Sequence, residues 1–467
     1  MALCIGLAGV LQPTGPAQAA PASVTNGTQF TDTSGGLLHA HGGGAIKVGA
    51  YYYWFGENRN ADNTFRYVSA YRSTDLRHWE FRRHVLRQAT DPELALANIE
   101  RPKVIYNRQT QQFVMWMHKE NGRDYGEARA AVATSPTVDG DYTWRGSFRP
   151  LGHMSRDITL FEDSNGTGYM ISAARENYDL HIYRLTDDYL GAQSLVANPW
   201  PGGHREAPAL FKRGSVYFML TSGSTSWSPN QQQYATATSL QGPWSAMRNI
   251  GDTTAYGSQT AYVLPVQGDR GTTYLYMGDR WGNSFGKTVN DSRYVWLPLR
   301  FPTASSMTMV WYQELTIDTQ AGTVDGHGGP YESLAARHSS KCADVPDQSL
   351  NPGVAVVQYT CNGGGNQKFW LKDAGSGRVQ LMARHSSLCL GVRSASTADG
   401  AAVEQQTCGS GAHQQWQFQD AGGGYIRLLA RHSGKCLDVL DESTADKAAI
   451  AQWSCTGGSN EQWKRAA

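Results

Sequence analysis

Three carboxylates share one setting. Glu100 precedes Arg101-Pro102, Asp157 follows Arg156, and Glu206 stands between Arg205 and Ala207-Pro208. Each lies just ahead of an apolar run that reads as a strand, at 103–106, 158–161 and 209–211. Carboxylates brought together raise one another's pKa, so one of them can keep a proton at neutral pH and serve as a general acid. Two more polar groups hold the same position: His39-Ala40-His41-Gly42-Gly43-Gly44 ahead of 45–48, and Gly257-Ser258-Gln259 ahead of 261–264. Any one of these residues could simply cap its own strand. Five at one position point to a shared pocket.

The elements that must position them come as repeated pairs of strands. After each apolar run there is a turn, then a second run at 51–55, 113–117, 169–171, 216–220 or 274–277, most of them rich in aromatics. Further strands fit at 67–71, 130–134, 181–185 and 234–238. The unit recurs roughly every 45 to 60 residues, the signature of radial repetition. The expectation is a five-bladed β-propeller over 27–322, with a β-sandwich as the structural alternative. In a propeller the starts of the innermost strands crowd into one funnel, which would gather Glu100, Asp157 and Glu206.

The chain has 467 residues, more than one small domain holds, and a net charge of +1. That balance gives no footing for nucleic acid or a charged membrane surface. The 51 glycines and 11% aromatic residues favour an all-β protein with many turns. Residues 1–20 combine a short apolar core with Ala17-Gln18-Ala19, although no basic residue precedes them. They read as a secretory signal, so the protein is expected to be secreted and extracellular. No other stretch of 18 apolar residues exists, so no membrane span is expected. No His-Glu-x-x-His spacing occurs, so no catalytic metal and no cofactor is expected; a structural calcium would leave no trace in sequence.

Six of the seven cysteines lie after residue 340. A Gly-rich stretch, 323–330, reads as a linker, and 331–467 as a module of three repeats. Ala336-Arg-His-Ser-Ser-Lys-Cys342 returns as Ala383-Arg-His-Ser-Ser-Leu-Cys389 and Ala430-Arg-His-Ser-Gly-Lys-Cys436, 47 residues apart each time. A second cysteine follows each first one by 19 residues, so the repeat itself suggests the pairs Cys342–Cys361, Cys389–Cys408 and Cys436–Cys455. Each repeat ends on an aromatic: Phe369, Trp416 and Trp463. One such unit cannot bury its own face, so three should pack about a pseudo-threefold axis.

Over about residues 35–320 the chain resembles glycoside hydrolase family 43. The resemblance rests on Tyr71-Arg-Ser-Thr-Asp-Leu-Arg-His-Trp79, Arg156-Asp157 and Arg205-Glu206-Ala207-Pro208. It implies a five-bladed propeller that hydrolyses plant polysaccharides with inversion, using a general base, an orienting Asp and a general acid Glu. Carried onto this chain, Asp157 is the orienting Asp and Glu206 the acid. The basic Asp of the first blade is missing; His39–Gly44 stands in its place. The exo-β-1,3-galactanases of this family share that departure. His41-Gly-Gly, Phe55-Gly-Glu57-Asn58, Glu100-Arg101-Pro102, Thr221-Ser-Gly223, Trp227-Ser-Pro-Asn230 and Tyr256-Gly-Ser-Gln259 look like that subgroup.

The subgroup places a glutamine beside the attacking water, which makes Gln259 the candidate for that role. An amide orients water but is a poor base, so Glu100 competes with it. Glu57, Tyr125, Asn177, Thr225 and Trp227 are expected to hold the terminal galactose, with Trp227 or Trp54 as stacking platform.

The C-terminal repeats resemble the ricin B-type β-trefoil, a carbohydrate-binding module. Its sugar site takes an Asp after the first cysteine, an aromatic before the second, and an Asn soon after. Repeat one supplies Asp344, Tyr359 and Asn366, with Gln367 following. Repeat three supplies Asp438, Trp453 and Asn460, with Glu461 in the glutamine position. Repeat two has Gly391, Gln406 and His413 instead. Two sites for galactose-type sugars and one structural repeat are expected. The combined expectation is a monomeric secreted exo-β-1,3-galactanase acting on the β-1,3-galactan of arabinogalactan. An arabinofuranosidase or β-xylosidase of the same family, or a propeller-lectin without catalysis, are the alternatives.

Overall fold

The computed structural model describes residues 20–466, so most of the stretch read as a secretory signal lies outside the described residues. The architecture is all-β: a propeller followed by a trefoil. Five consecutive antiparallel sheets follow one another along the chain, four with four strands and the last with three. Their first strands are Ala45–Val48, Asn98–Asn107, Ile158–Glu162, Arg205–Arg213 and Gln259–Gly268. The first strands of successive sheets are neighbours in space, which draws their ends together.

Sheets one and five share one core. Trp54 and Trp79 of the first pack with Leu275, Met277 and Trp296 of the last, all fully or nearly buried. Outside this seam, Ala22–Thr25 pairs with Glu314–Asp318, which pairs with Thr323–His327. Both edges of the expected propeller segment therefore need correction. A strand lies ahead of residue 27, and much of the expected linker 323–330 is a strand. Its Gly-rich character has a packing cause: a Cβ on Gly326 would sit 2.1 Å from the Tyr312 ring. Trp54, offered as a sugar platform, is 2% exposed and packs on Trp79, Tyr294 and Trp296, so it is core.

The trefoil has twelve strands, four to a repeat. Phe369, Trp416 and Trp463 are fully buried at its centre. The three disulfides join Cys342–Cys361, Cys389–Cys408 and Cys436–Cys455. A cyclic tie links the repeats. Nε2 of His338, His385 and His432 lies 2.8, 3.0 and 2.7 Å from the carbonyls of Ser443, Ser349 and Ser396, each in another repeat. The modules meet through Gln313, which donates to Ser387 Oγ at 2.6 Å, and through a Lys372–Glu314 ion pair.

Candidate active site

The strands that carry the polar residues begin earlier than their apolar runs suggest. Glu100 and Glu206 therefore sit inside first strands, each followed by one residue and a proline. At both places the ladder slips, between Glu100 and Lys103 and between Glu206 and Ala209. The middle residues, Arg101 and Ala207, have φ of 53° and 51°. Proline cannot donate to the ladder, and a bulge lets the strand bend and re-aim a side chain. The bulged N–H turns to a carboxylate of another sheet. Arg101 N donates to Glu57 Oε1 and Ala207 N to Asp157 Oδ2, both at 3.0 Å.

The result is a pocket of about 310 Å³ lined by Glu57, Glu100, Asp157, Glu206, Gln259, Tyr125, Asn177 and Trp227. The expected residues thus meet, with one exception. Thr225 does not line the pocket. Its hydroxyl donates to Ser228 O at 2.6 Å and accepts from Asn230, so it staples a turn whose Ser224 and Ser226 face the pocket instead.

Glu206 is 8% exposed. Burial, and then the charge of Asp157, push its pKa up to about 8 against the opposing Arg101. Asn177 donates to Oε2 and Gln259 to Oε1, both at 2.9 Å. Asp157 is held by Arg101 Nε at 2.7 Å. A carboxyl that keeps its proton in a pocket beside an ion-paired carboxylate is suited to general acid work.

Gln259 is fully engaged. Its amide also donates to Ser222 Oγ, and its carbonyl accepts from Arg101 Nη2 at 2.6 Å and Trp281 Nε1 at 2.8 Å. Glu100 accepts from Arg59 and Tyr125, both at 2.8 Å, and pairs with His118 at 3.2 Å. Burial would raise its pKa, but Arg59 and His118 outweigh it and hold the carboxylate well below the usual range. Burial would likewise lower the pKa of His118, yet Glu100 and Glu120 together raise it to about 9.

The first-blade gap has a physical explanation. His41 is buried, its Nδ1 3.0 Å from Asp279 Oδ1, and it stacks on Tyr294. A Cβ on Gly42 would lie 2.3 Å from Glu57 Oε1. The Glu57 carboxylate therefore fills the room that a side chain at 42 would need. Burial raises the Glu57 pKa; Arg59 opposes this and the charge of Glu100 adds to it.

Glu100, His118 and Asp157 each bring one ligand atom within 4.8 Å of the others. A protonated His118 offers no lone pair to a metal, and Arg59 and Arg101 already pair with the two carboxylates. This donor set does not suit a cation.

Residues 44–286 match Glycosyl hydrolases family 43. The chain belongs to that family. It is a glycoside hydrolase, and residues 330–463 match the Ricin-type beta-trefoil lectin domain. No curated relative matches the chain. A crystal structure of an exo-β-1,3-galactanase from Clostridium thermocellum is 47% identical, covering 95% of this chain and 99% of that one, with a TM-score of 0.67. An exo-β-1,3-galactanase from Phanerochaete chrysosporium, solved with β-1,3-galactotriose, is 27% identical over 95% of this chain and 92% of that one, with a TM-score of 0.64. A putative exo-β-1,3-galactanase from Bifidobacterium bifidum is 33% identical over 64% and 98%, with a TM-score of 0.57.

Arg59, His118 and Trp281 line the pocket of this glycoside hydrolase and were not anticipated. Signals for two of them existed. Glu57 and Arg59 are two apart on one strand and so share a face, and His118 sits directly opposite Glu100 in the ladder. Trp281 follows the strand Gly271–Arg280, and its place depends on sheet five closing against sheet one.

In the trefoil, Asp344 Oδ2 accepts from Asn366 at 3.0 Å and Gln367 at 2.7 Å. Burial raises its pKa, and those two amides oppose the rise. Asp438 receives only Asn460, at 2.7 Å, among the described residues; Glu461 bonds Thr456 and Gly457 instead. Burial, then the charges of Glu461, Glu442 and Asp441, push the Asp438 pKa up to about 7. Trp453 is 40% exposed beside it, and Tyr359 is half-buried in repeat one. In repeat two a Cβ on Gly391 would be 2.6 Å from Gln406 Oε1, so the equivalent space is filled.

Proposed function

We propose that the protein is an exo-β-1,3-galactanase with a five-bladed propeller, removing terminal galactose from β-1,3-galactan with inversion. The observation that carries this reading is Glu206: a buried, proton-retaining carboxyl bonded to Asn177 and Gln259, in a chain 47% identical to an enzyme of that name. Five consecutive sheets support the blade count. In this reading Glu206 protonates the leaving oxygen, and Asp157, fixed by Arg101, sets its proton affinity. Glu57, Tyr125 and Asn177 meet sugar hydroxyls, and Trp227 stacks on a ring.

Two groups compete for the water. Glu100 is ionised and has three donors for about four acceptor sites, so one site is left for a water proton. The Gln259 carbonyl has both lone pairs engaged, but its amide links directly to the acid. Azide or formate should restore turnover only to the variant that has lost the water-serving group, Glu100→Gln or Gln259→Ala.

The trefoil would bind galactose-type sugars of the same arabinogalactan polymer through repeats one and three and keep substrate near the pocket. Secretion as a monomer, with residues 1–20 removed, completes the proposal. The decisive experiment is proton NMR of the first product from β-1,3-galactotriose. The expected product is α-galactose. Initial β-galactose would refute inversion, and pentose release from arabinan or xylan would transfer the protein to another activity of the family.

A further inference from the structure

The aromatic wall of the catalytic pocket has a far side. Trp227 and Trp281 meet edge to face, 5.6 Å apart, and behind them a narrow void is bordered by Pro229 and Ser284. The same two residues border a larger cavity of about 710 Å³ between the propeller and the trefoil. Its trefoil wall includes the turn Pro346–Gln348, two residues beyond Asp344.

Arg280 lines this cavity and is only 4% exposed. Nη1 donates to His385 O at 2.8 Å and Nη2 to Tyr256 O at 2.7 Å, while the buried Nε has no acceptor among the described residues. Burial, and then the nearby Arg293, lower its pKa to about 9, which leaves it charged at neutral pH. No carboxylate lies within ion-pair distance of it among the described residues. Asp252 and Asp347 also line the cavity. Asp252 opposes part of the shift on Arg280, and its Oδ1 is engaged by the N–H groups of Thr254 and Tyr256. Neither carboxylate forms an ion pair with an arginine among the described residues. Arg384 enters from the trefoil side, half-buried, and it too makes no ion pair among the described residues. The Arg280 guanidinium lies 5.6 Å from the Trp311 ring. A buried cation with no ion-pair partner is costly. Arg280, buried, and half-buried Arg384 bring two unpaired cations from two modules to one cavity, a setting that suits an anion. Arginine forks fit a carboxylate, and aromatic faces fit a sugar ring.

We propose that the cavity between the modules is a second carbohydrate subsite, which takes a carboxylate-bearing sugar of the polysaccharide, a uronic acid residue, on Arg280 and Arg384. It lies beyond the catalytic reading above, and direct binding at it does not depend on that reading.

The test uses the full chain carrying Asp344→Ala and Asp438→Ala, with galactose present throughout to occupy the catalytic pocket. Calorimetric titration with methyl β-glucuronide should show one site per chain, about tenfold tighter than for methyl β-glucoside. Arg384→Ala should weaken it about tenfold, and Arg280→Met should do the same where that variant folds. Sodium acetate should compete only weakly. The proposal is overturned by equal affinity for the uronide and the neutral glycoside, by acetate competing as well as the uronide, or by an unchanged Arg384→Ala. With a uronate-bearing galactan as substrate, Arg384→Ala should raise KM while KM on linear β-1,3-galactan stays the same. If the chain releases no galactose from either polymer, the catalytic reading fails and the titration still decides the subsite.

Discussion

The two modules treat their internal symmetry in opposite ways. In the propeller, equivalent places at the start of five sheets hold His41, Glu100, Asp157, Glu206 and Gln259. The two glutamates differ in their surroundings: Arg59 and His118 keep Glu100 ionised, while burial and Asp157 keep the proton on Glu206. All but His41 line one pocket, and His41 is tied to Asp279 beneath it. In the trefoil, equivalent places hold the same Asp and Asn in two repeats, and the third has lost both. Where repeats face each other, their surroundings must diverge, because carboxylates sharing one pocket specialise only when different neighbours push their pKa values apart. Where repeats face outward, each site is independent, so a copy can be kept or lost without consequence for its siblings.

The largest break in this contrast should come from Glu206. Glu206→Gln is expected to lower kcat on β-1,3-galactotriose by about a thousandfold or more. Polysaccharide binding measured by affinity electrophoresis should be unchanged, because the outward sites do not depend on the inward one. Next comes Asp157→Asn, with a loss of about a hundredfold. Its pH profile carries the sharper information. Glu206 must be protonated to act, so activity should fall as pH rises through about 8. Removing the Asp157 charge leaves Arg101 beside Glu206, and both changes favour ionisation. The alkaline limb should therefore move to lower pH; a limb that stays in place would remove Asp157 from its tuning role.

Smaller effects test the trefoil half. Asp344→Ala and Asp438→Ala together should weaken binding to galactan polymer by about ten- to a hundredfold, while kcat on the trisaccharide is unaffected. The two sites should also differ from each other. Asp438 is crowded by Glu461 where Asp344 has Gln367, so binding by repeat three should strengthen as pH rises through about 7 and Asp438 ionises. Glu461→Gln should shift that transition to lower pH, measured by titrating galactose into an Asp344→Ala background. The smallest effect is expected in repeat two. Gly391→Asp should create no site, since Gln406 occupies the space, and should cost about 1–3 kcal/mol of stability in thermal unfolding.

What could be read in the sequence follows the same division. In the trefoil the three disulfides and the Asp–Asn contacts of repeats one and three were legible, because residues at a fixed local spacing recur along the chain. In the propeller the strand pairs and the four principal polar residues were legible from their common position. Arg59 and His118 were not, because strand alternation from Glu57 and the register opposite Glu100 point to them only once the strand pairing is drawn. Thr225 misled because it neighbours two serines that do face the pocket. The linker misled because a glycine packed against Tyr312, as Gly326 is, looks the same in sequence as one that confers freedom. Glu-Arg-Pro and Glu-Ala-Pro were visible as words, but their shared backbone bulge was not.

The strand Ala22–Thr25 has a practical bearing on all of this. It latches onto Glu314–Asp318 beside the seam where sheets one and five share their core. That seam also runs beside the catalytic pocket, since Asp279 on sheet five meets His41 across the closure and Gln259, on the same sheet, lines the pocket. A chain trimmed to start at residue 27 would keep every pocket side chain and still lose the clasp that holds the ring shut. Such a truncation would register first as weakened turnover in a protein that still folds, so the choice of expression boundary is also a choice about catalytic alignment.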